Sequence, residues 1–116
     1  MTRYDDVMPE RVWLSEVVAL AKGYGWMVFH ALPAQNARGR WATHQMGDVG
    51  FPDLMLAHSS HGTLFVELKT NHGRLTAAQE DWLDVLHTAG QETAVWRPRD
   101  RNRIRLRLMG DRHDRS

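Results

Sequence analysis

The spacing of hydrophobic and polar positions changes several times along the chain, and each change marks an element. Over residues 9–23, Val12, Trp13, Val17, Leu20 and Ala21 recur three to four apart behind Pro9 and ahead of Gly23, which predicts an amphipathic helix. Residues 26–31 form a short apolar run, predicted as a strand. From 32 to 50 the periodicity disappears, interrupted by Pro33, Gly39, Gly47 and Gly50, and this stretch reads as a long loop. Two apolar runs, 53–57 and 63–69, then flank a polar connection of Ser, His and Gly, the pattern of an antiparallel hairpin with a five-residue loop. A second helix starts at Thr76 as N-cap, with Gln79 at the capping-box position, and runs through Trp82, Leu83, Val85 and Leu86 to Gly90. Residues 93–96 are a further strand, which a crossover through that helix would lay parallel to 63–69. Residues 101–109 carry two periods. Arginine at every second position is strand-like, whereas Asp100 as N-cap with Ile104, Leu108 and Met109 is helical; the helix is the reading adopted.

The hairpin organises the rest. If its loop is centred on Ser60, Asp53 lies opposite Glu67 and Ala57 opposite Thr63. Opposed residues share a face with Cβ atoms about 4.5–5.5 Å apart, and the residue two further along joins them, so Asp53, Glu67 and Lys69 converge. Leu54, Leu56, Leu64, Val66 and Leu68 occupy the other face, with Met55 and Phe65 beside the charges, so both faces should be covered. An ordinary cross-strand ion pair on a solvated face fits such apolar surroundings poorly. Two carboxylates this close repel, and one tends to stay protonated unless a cation sits between them; the simplest is a hard divalent ion that takes oxygen ligands.

Composition narrows the class. A chain of 116 residues with 42% hydrophobic residues supports one core and one domain, here residues 1–116, with 110–116 as a basic tail. The absence of cysteine excludes disulfide frameworks, thiolate metal sites and cysteine nucleophiles, and fits a reducing cytoplasm. No leader-like or membrane-spanning run is present, so the expectation is a soluble cytoplasmic protein. The net charge of +1 hides an asymmetry: 8 of the 15 Lys+Arg but only 3 of the 14 Asp+Glu lie in residues 97–116. Such a basic segment suits phosphate contact, or is an ordinary solvated terminus.

Further candidates surround the hairpin. Glu16 falls on the flank of the first helix's apolar stripe, either as a third acidic group aimed at Asp53 and Glu67 or as a helix-edge residue reaching solvent. Gln79 is either a capping-box partner or a first-turn polar group facing the hairpin, where helix N-termini favour anions. In the long loop, Arg38, Arg40, Trp41 and His44 combine guanidinium, indole and imidazole groups suited to phosphates and exposed bases, and Arg74 follows in the turn after Lys69; the alternative is a surface loop with Trp41 folded back on the core. His58 and His61 flank the hairpin tip without acidic neighbours, which argues against a zinc site.

Gly50-Phe51-Pro52-Asp53, Glu67-Leu68-Lys69, Gln79 with Trp82, and Val95-Trp96-Arg97-Pro98-Arg99-Asp100 together resemble the VRR-Nuc domain of the PD-(D/E)XK nuclease superfamily, in its small stand-alone form, over about residues 9–109. The chain departs from that pattern at Arg101, where an aromatic residue is usual. The resemblance implies an α/β fold with a mixed β-sheet flanked by helices and a restriction-endonuclease-like core. It implies Mg²⁺- or Mn²⁺-dependent phosphodiester hydrolysis on structured or branched DNA. Asp53, Glu67 and the Leu68 carbonyl would ligate metal, with Glu16 as an outer ligand. Lys69 would position or activate the attacking water, and Gln79 would orient Lys69 or the phosphate.

The leading function is thus a structure-selective DNA endonuclease such as a junction resolvase. Cutting two strands symmetrically needs two sites, so a homodimer is expected. A DNA-binding module without catalysis is the alternative from another class, opposed by the intact Asp53, Glu67 and Lys69. A sequence-specific restriction-type endonuclease is a third, opposed by a length that leaves no room for an added recognition domain.

Overall fold

Strands β4 (Leu54–His58) and β5 (Gly62–Leu68) pair antiparallel with Leu54 opposite Val66 and Ala57 opposite Thr63, the register expected of a loop centred on Ser60. The structure is a computed structural model and describes residues 3–30, 34–35, 41–42 and 47–111. Pairing continues to His58 opposite Gly62, so the connection is tighter than the five residues expected, with Gly62 at φ 96° supplying the left-handed backbone that closes it. The loop remains centred on Ser60, and the facing pairs are unchanged.

Among the described residues the main sheet runs in the order β1 (Met27–Phe29), β4, β5, β6 (Glu92–Trp96). β1 lies antiparallel on β4, and β6 lies parallel on β5 after the crossover through α3 (Ala77–Thr88). The sheet is therefore mixed. Its inner face carries Leu54, Leu56, Leu64, Val66 and Leu68, all buried, in one core with Trp13, Val17 and Ala21 of α2 (Glu10–Gly23) and with Ile104 and Leu108 of α4 (Arg101–Leu108). Two core indoles find acceptors, Trp13 Nε1 on the Trp96 carbonyl at 3.0 Å and Trp26 Nε1 on the Leu108 carbonyl at 2.9 Å, which removes the cost of burying their N–H groups.

Among the described residues the outer face is only half covered, where the sequence led to the expectation of cover on both faces. α3 lies against β6, and none of its residues is fully buried; Met55 on β4 and Phe29 on β1 remain exposed. One helix spans only part of a four-stranded sheet. On the covered half, Trp82 meets Phe51 edge-on at 5.0 Å, and Phe51 meets Phe65 at 6.0 Å.

One further stretch differs from the sequence reading, and a second agrees with it except at its ends. Within the long loop, β2 (Ala34–Gln35) pairs with β3 (Trp41–Ala42), strands too short to leave a readable alternation. Arg38, Arg40 and His44 lie outside the described residues, as does the tail beyond Asp111, and Trp41 is placed only as part of β3. The 101–109 segment is helical, with Ile104 and Leu108 inward but Met109 exposed at the helix end. Asp100 stands at the N-cap position, yet its carboxylate accepts from Arg97 N at 3.0 Å and meets Arg103 at 3.1 Å in place of the first-turn amides.

Within residues 97–107 several arginines are tethers, whereas residues 112–116 of the basic tail lie outside the described residues. Arg97 Nη1 donates to the carbonyls of Thr70 and Gly73 at 2.6 and 2.7 Å, and Arg99 Nη1 donates to the carbonyl of buried Asn71 at 3.4 Å. Arg107 is buried, forked onto Glu92 at 2.7 and 2.9 Å and laid over the Trp26 ring. Alternation had placed arginine at both inward and outward positions of one helix, and long side chains reach carboxylates from either. No described helix is long and apolar enough to cross a membrane.

Candidate active site

Asp53 precedes the first residue of β4 and Glu67 is the penultimate residue of β5, so the hairpin ladder itself brings them together at the open end of the sheet. The entry to β4 is fixed by Gly50 and buried Pro52. Gly50 adopts φ 96°, and a Cβ there would stand 2.6 Å from the Ala78 backbone, so the position needs glycine for conformation and for close approach to α3. The Asp53 carboxylate accepts from Leu68 N at 2.8 Å, and the Asp53 carbonyl is met by His30 Nδ1 at 2.7 Å. Lys69 Nζ lies 3.9 Å from the Glu67 carboxylate, with only 13% of the lysine side chain and 2% of the glutamate exposed.

Electrostatically the site is short of positive charge. Burial pushes the Glu67 carboxyl up to about 8; the neighbouring charge of Asp53 and a hydrogen bond between the two carboxyls push the same way, Lys69 pulls it down, and Glu10 adds a further push. A buried carboxyl beside a second carboxyl keeps its proton unless a cation compensates. The donor set consists of hard oxygens, two carboxylates with the Leu68 backbone between them, and it fits a divalent ion such as Mg²⁺ or Mn²⁺ on chemical grounds. Among the described residues, no three His, Asp or Glu side chains stand together as a metal cluster.

Glu16 does not belong to it. Its carboxylate is held by Arg101 Nε and Nη2 at 2.5 and 2.9 Å, which corrects its assignment as a third acidic group. The helix geometry explains the difference. Glu16 is adjacent to Val17 in sequence and so stands about 100° round the helix from the buried stripe. Glu10, three residues before Trp13 and seven before Val17, prolongs that stripe at the helix start, and it is the α2 acid whose charge bears on Glu67. Glu10 was legible in this pattern, but an exposed first-turn Glu is also what any helix N-terminus favours.

Gln79 forms the capping box in full: Thr76 Oγ1 accepts from Gln79 N at 3.2 Å, and the Gln79 side-chain oxygen accepts from Thr76 N at 2.9 Å. Its amide oxygen is therefore committed to the helix start. Arg74 is exposed in the turn after Lys69. His58 and His61 stack on each other at 4.1 Å, with His58 Nδ1 accepting from Ser60 N, so the pair shapes the hairpin tip.

A sheet that juxtaposes an Asp before one hairpin strand with a Glu-x-Lys at the end of the other, under a helix across the next crossover, defines a nuclease-type α/β domain. The model of the VRR-NUC domain matches residues 21–100, and the chain belongs to this family of the nuclease superfamily. A solved structure of a VRR-NUC domain protein has the same fold, with a TM-score of 0.58 and 19% identity, covering 87% of this chain and 90% of that one. No curated protein matches the chain.

Proposed function

We propose that this protein is a metal-dependent DNA endonuclease that hydrolyses phosphodiester bonds in structured or branched DNA, using Mg²⁺ or Mn²⁺. The observation that carries the reading is the buried Glu67, its carboxyl raised to about 8 beside Asp53 with Lys69 at 3.9 Å. A fold that holds two carboxylates together at an energetic cost has a use for them as a pair. Asp53, Glu67 and the Leu68 carbonyl would hold the ion, which when bound supplies Lewis-acid stabilisation of charge on the scissile phosphate.

The chain's own residues supply the rest. Lys69 is cationic and so does not join the ligands; its ammonium holds the attacking water and offsets charge developing on the phosphate. Gln79, with its oxygen engaged at Thr76, offers its amide N–H groups to the phosphate at the helix N-terminus. Arg74 and the 31–46 segment, with Arg38, Arg40, Trp41 and His44, contact the DNA backbone and unpaired bases. Two copies acting together would cut two strands symmetrically. The test is incubation of the purified protein with Mg²⁺ or Mn²⁺ and linear, flapped, single-stranded and four-way-junction DNA, alongside Asp53→Asn. Metal-dependent cleavage that is lost in the variant and strongest on branched substrates supports the reading; the absence of cleavage on every substrate overturns it.

A further inference from the structure

The geometry points to His30 as a positioning residue that fixes Asp53 through its backbone, an assignment that rests on the reading of Asp53 as a metal-binding carboxylate. The β1–β4 ladder pairs Met27 with Ala57 and Phe29 with Met55, and it stops there. The partner of the Asp53 carbonyl is a side chain, His30 Nδ1, at 2.7 Å. A carbonyl only accepts, so Nδ1 carries the hydrogen, and the tautomer of the half-buried ring is set by this bond.

Asp53 is thereby held from both neighbouring strands. Its carboxylate accepts from Leu68 N on β5 at 2.8 Å, and its carbonyl is held from the end of β1. Asp53 lies just before β4 and outside the ladder pairs on both sides, so these two bonds do for it what regular pairing does for Met55. Without the His30 bond, the Asp53 peptide unit is free to turn, and the carboxylate turns with it. Outer partners of this kind typically matter about 10- to 100-fold in metal affinity or activity.

The experiment compares His30→Ala, which removes the donor, with His30→Asn, whose amide nitrogen takes the place of Nδ1, and His30→Gln, whose amide lies further out. In metal-free protein the Leu68 amide resonance reports the Asp53 carboxylate bond. His30→Ala and His30→Gln are expected to move it towards its position in Asp53→Ala, and His30→Asn to restore it. Calorimetry with Mn²⁺ alone should show affinity falling about 10- to 100-fold in His30→Ala and returning in His30→Asn, with the single-turnover cleavage rate following. An unmoved Leu68 resonance in His30→Ala overturns the inference, as does His30→Asn behaving like His30→Ala. If wild-type protein binds no Mn²⁺ and cleaves nothing, the proposed function fails, while the metal-free resonance still decides whether His30 holds Asp53.

Discussion

Arg101 grips Glu16 through two guanidinium nitrogens, at 2.5 and 2.9 Å, and closes on buried Asp5 with the third at 2.7 Å. The same guanidinium lies over the Trp13 ring, 5.4 Å from its centroid, and the two carboxylates push its pKa further above the usual arginine range. This cluster ties the start of the chain, α2 and α4 together across 85 and 96 residues of sequence.

Glu16→Gln is therefore expected to act on stability and not on chemistry. Both partners are partly exposed, so the loss should be roughly 1 kcal/mol, a few degrees in Tm. Scanning calorimetry measures it, and a cleavage assay at matched folded fraction should show no change; a selective loss of cleavage would return Glu16 to the active site.

The Glu67 carboxyl, raised from 4.5 to about 8, makes the metal-free protein and metal binding respond to pH in opposite directions. Between those values the folded state holds a proton that the unfolded state has lost. The Glu67 contribution to stability is thus fully present below pH 4.5 and is lost as pH rises through about 8. Metal binding requires the ionised form, so apparent Mn²⁺ affinity should climb up to about pH 8 with proton release, seen by calorimetry in buffers of different ionisation enthalpy. In Asp53→Asn the Glu67 carboxyl, followed by ¹³C resonance, should titrate lower but still above the ordinary range, because burial is the larger cause. No movement would mean that Asp53 exerts no charge on it.

Lys69→Ala should lower the single-turnover rate by roughly two or more orders of magnitude while DNA affinity measured in Ca²⁺ changes little, because the ammonium acts on charge that develops in the transition state. Lys69→Arg should not restore the rate, since a planar fork does not replace a compact point charge. Lost affinity with a preserved saturated rate would make Lys69 a docking residue instead.

Arg107→Met should cost about 3 kcal/mol, because it strands the Glu92 carboxylate that the buried guanidinium now pairs. The salt dependence of DNA binding should stay the same. Exposed Arg105, with its charge removed by Arg105→Gln, should instead reduce the slope of log affinity against log salt by about 0.9 if it meets a phosphate. A shallower slope for Arg107→Met, measured by fluorescence anisotropy, would refute its role as a tether.

Local pattern by itself determined the hairpin register, because strand period 2 fixes the face that buries Leu54, Leu56, Leu64, Val66 and Leu68 and the polar loop centred on Ser60 fixes the pairing that puts Asp53 beside Glu67. It also determined the α3 start, where Thr76 and Gln79 satisfy each other within four residues, and the parallel placement of β6 beyond the crossover. Only the tertiary structure decided which carboxylates stand alone and which are paired. Glu10 prolongs the apolar stripe of α2 and Glu16 stands beside it, and their fates diverge because Arg101 arrives from the far end of the chain to hold Glu16. The arginines of 97–107 have an alternation that fits a phosphate-binding strand as well as a helix; carboxylates and carbonyls contributed by distant segments decide that most are tethers. His30 was invisible for the same reason, since the acceptor that gives it a role is a backbone carbonyl 23 residues away. Side-chain period is a local property that the chain carries wherever it goes, whereas the partner of a polar group is fixed only when folding brings two remote segments within hydrogen-bond reach.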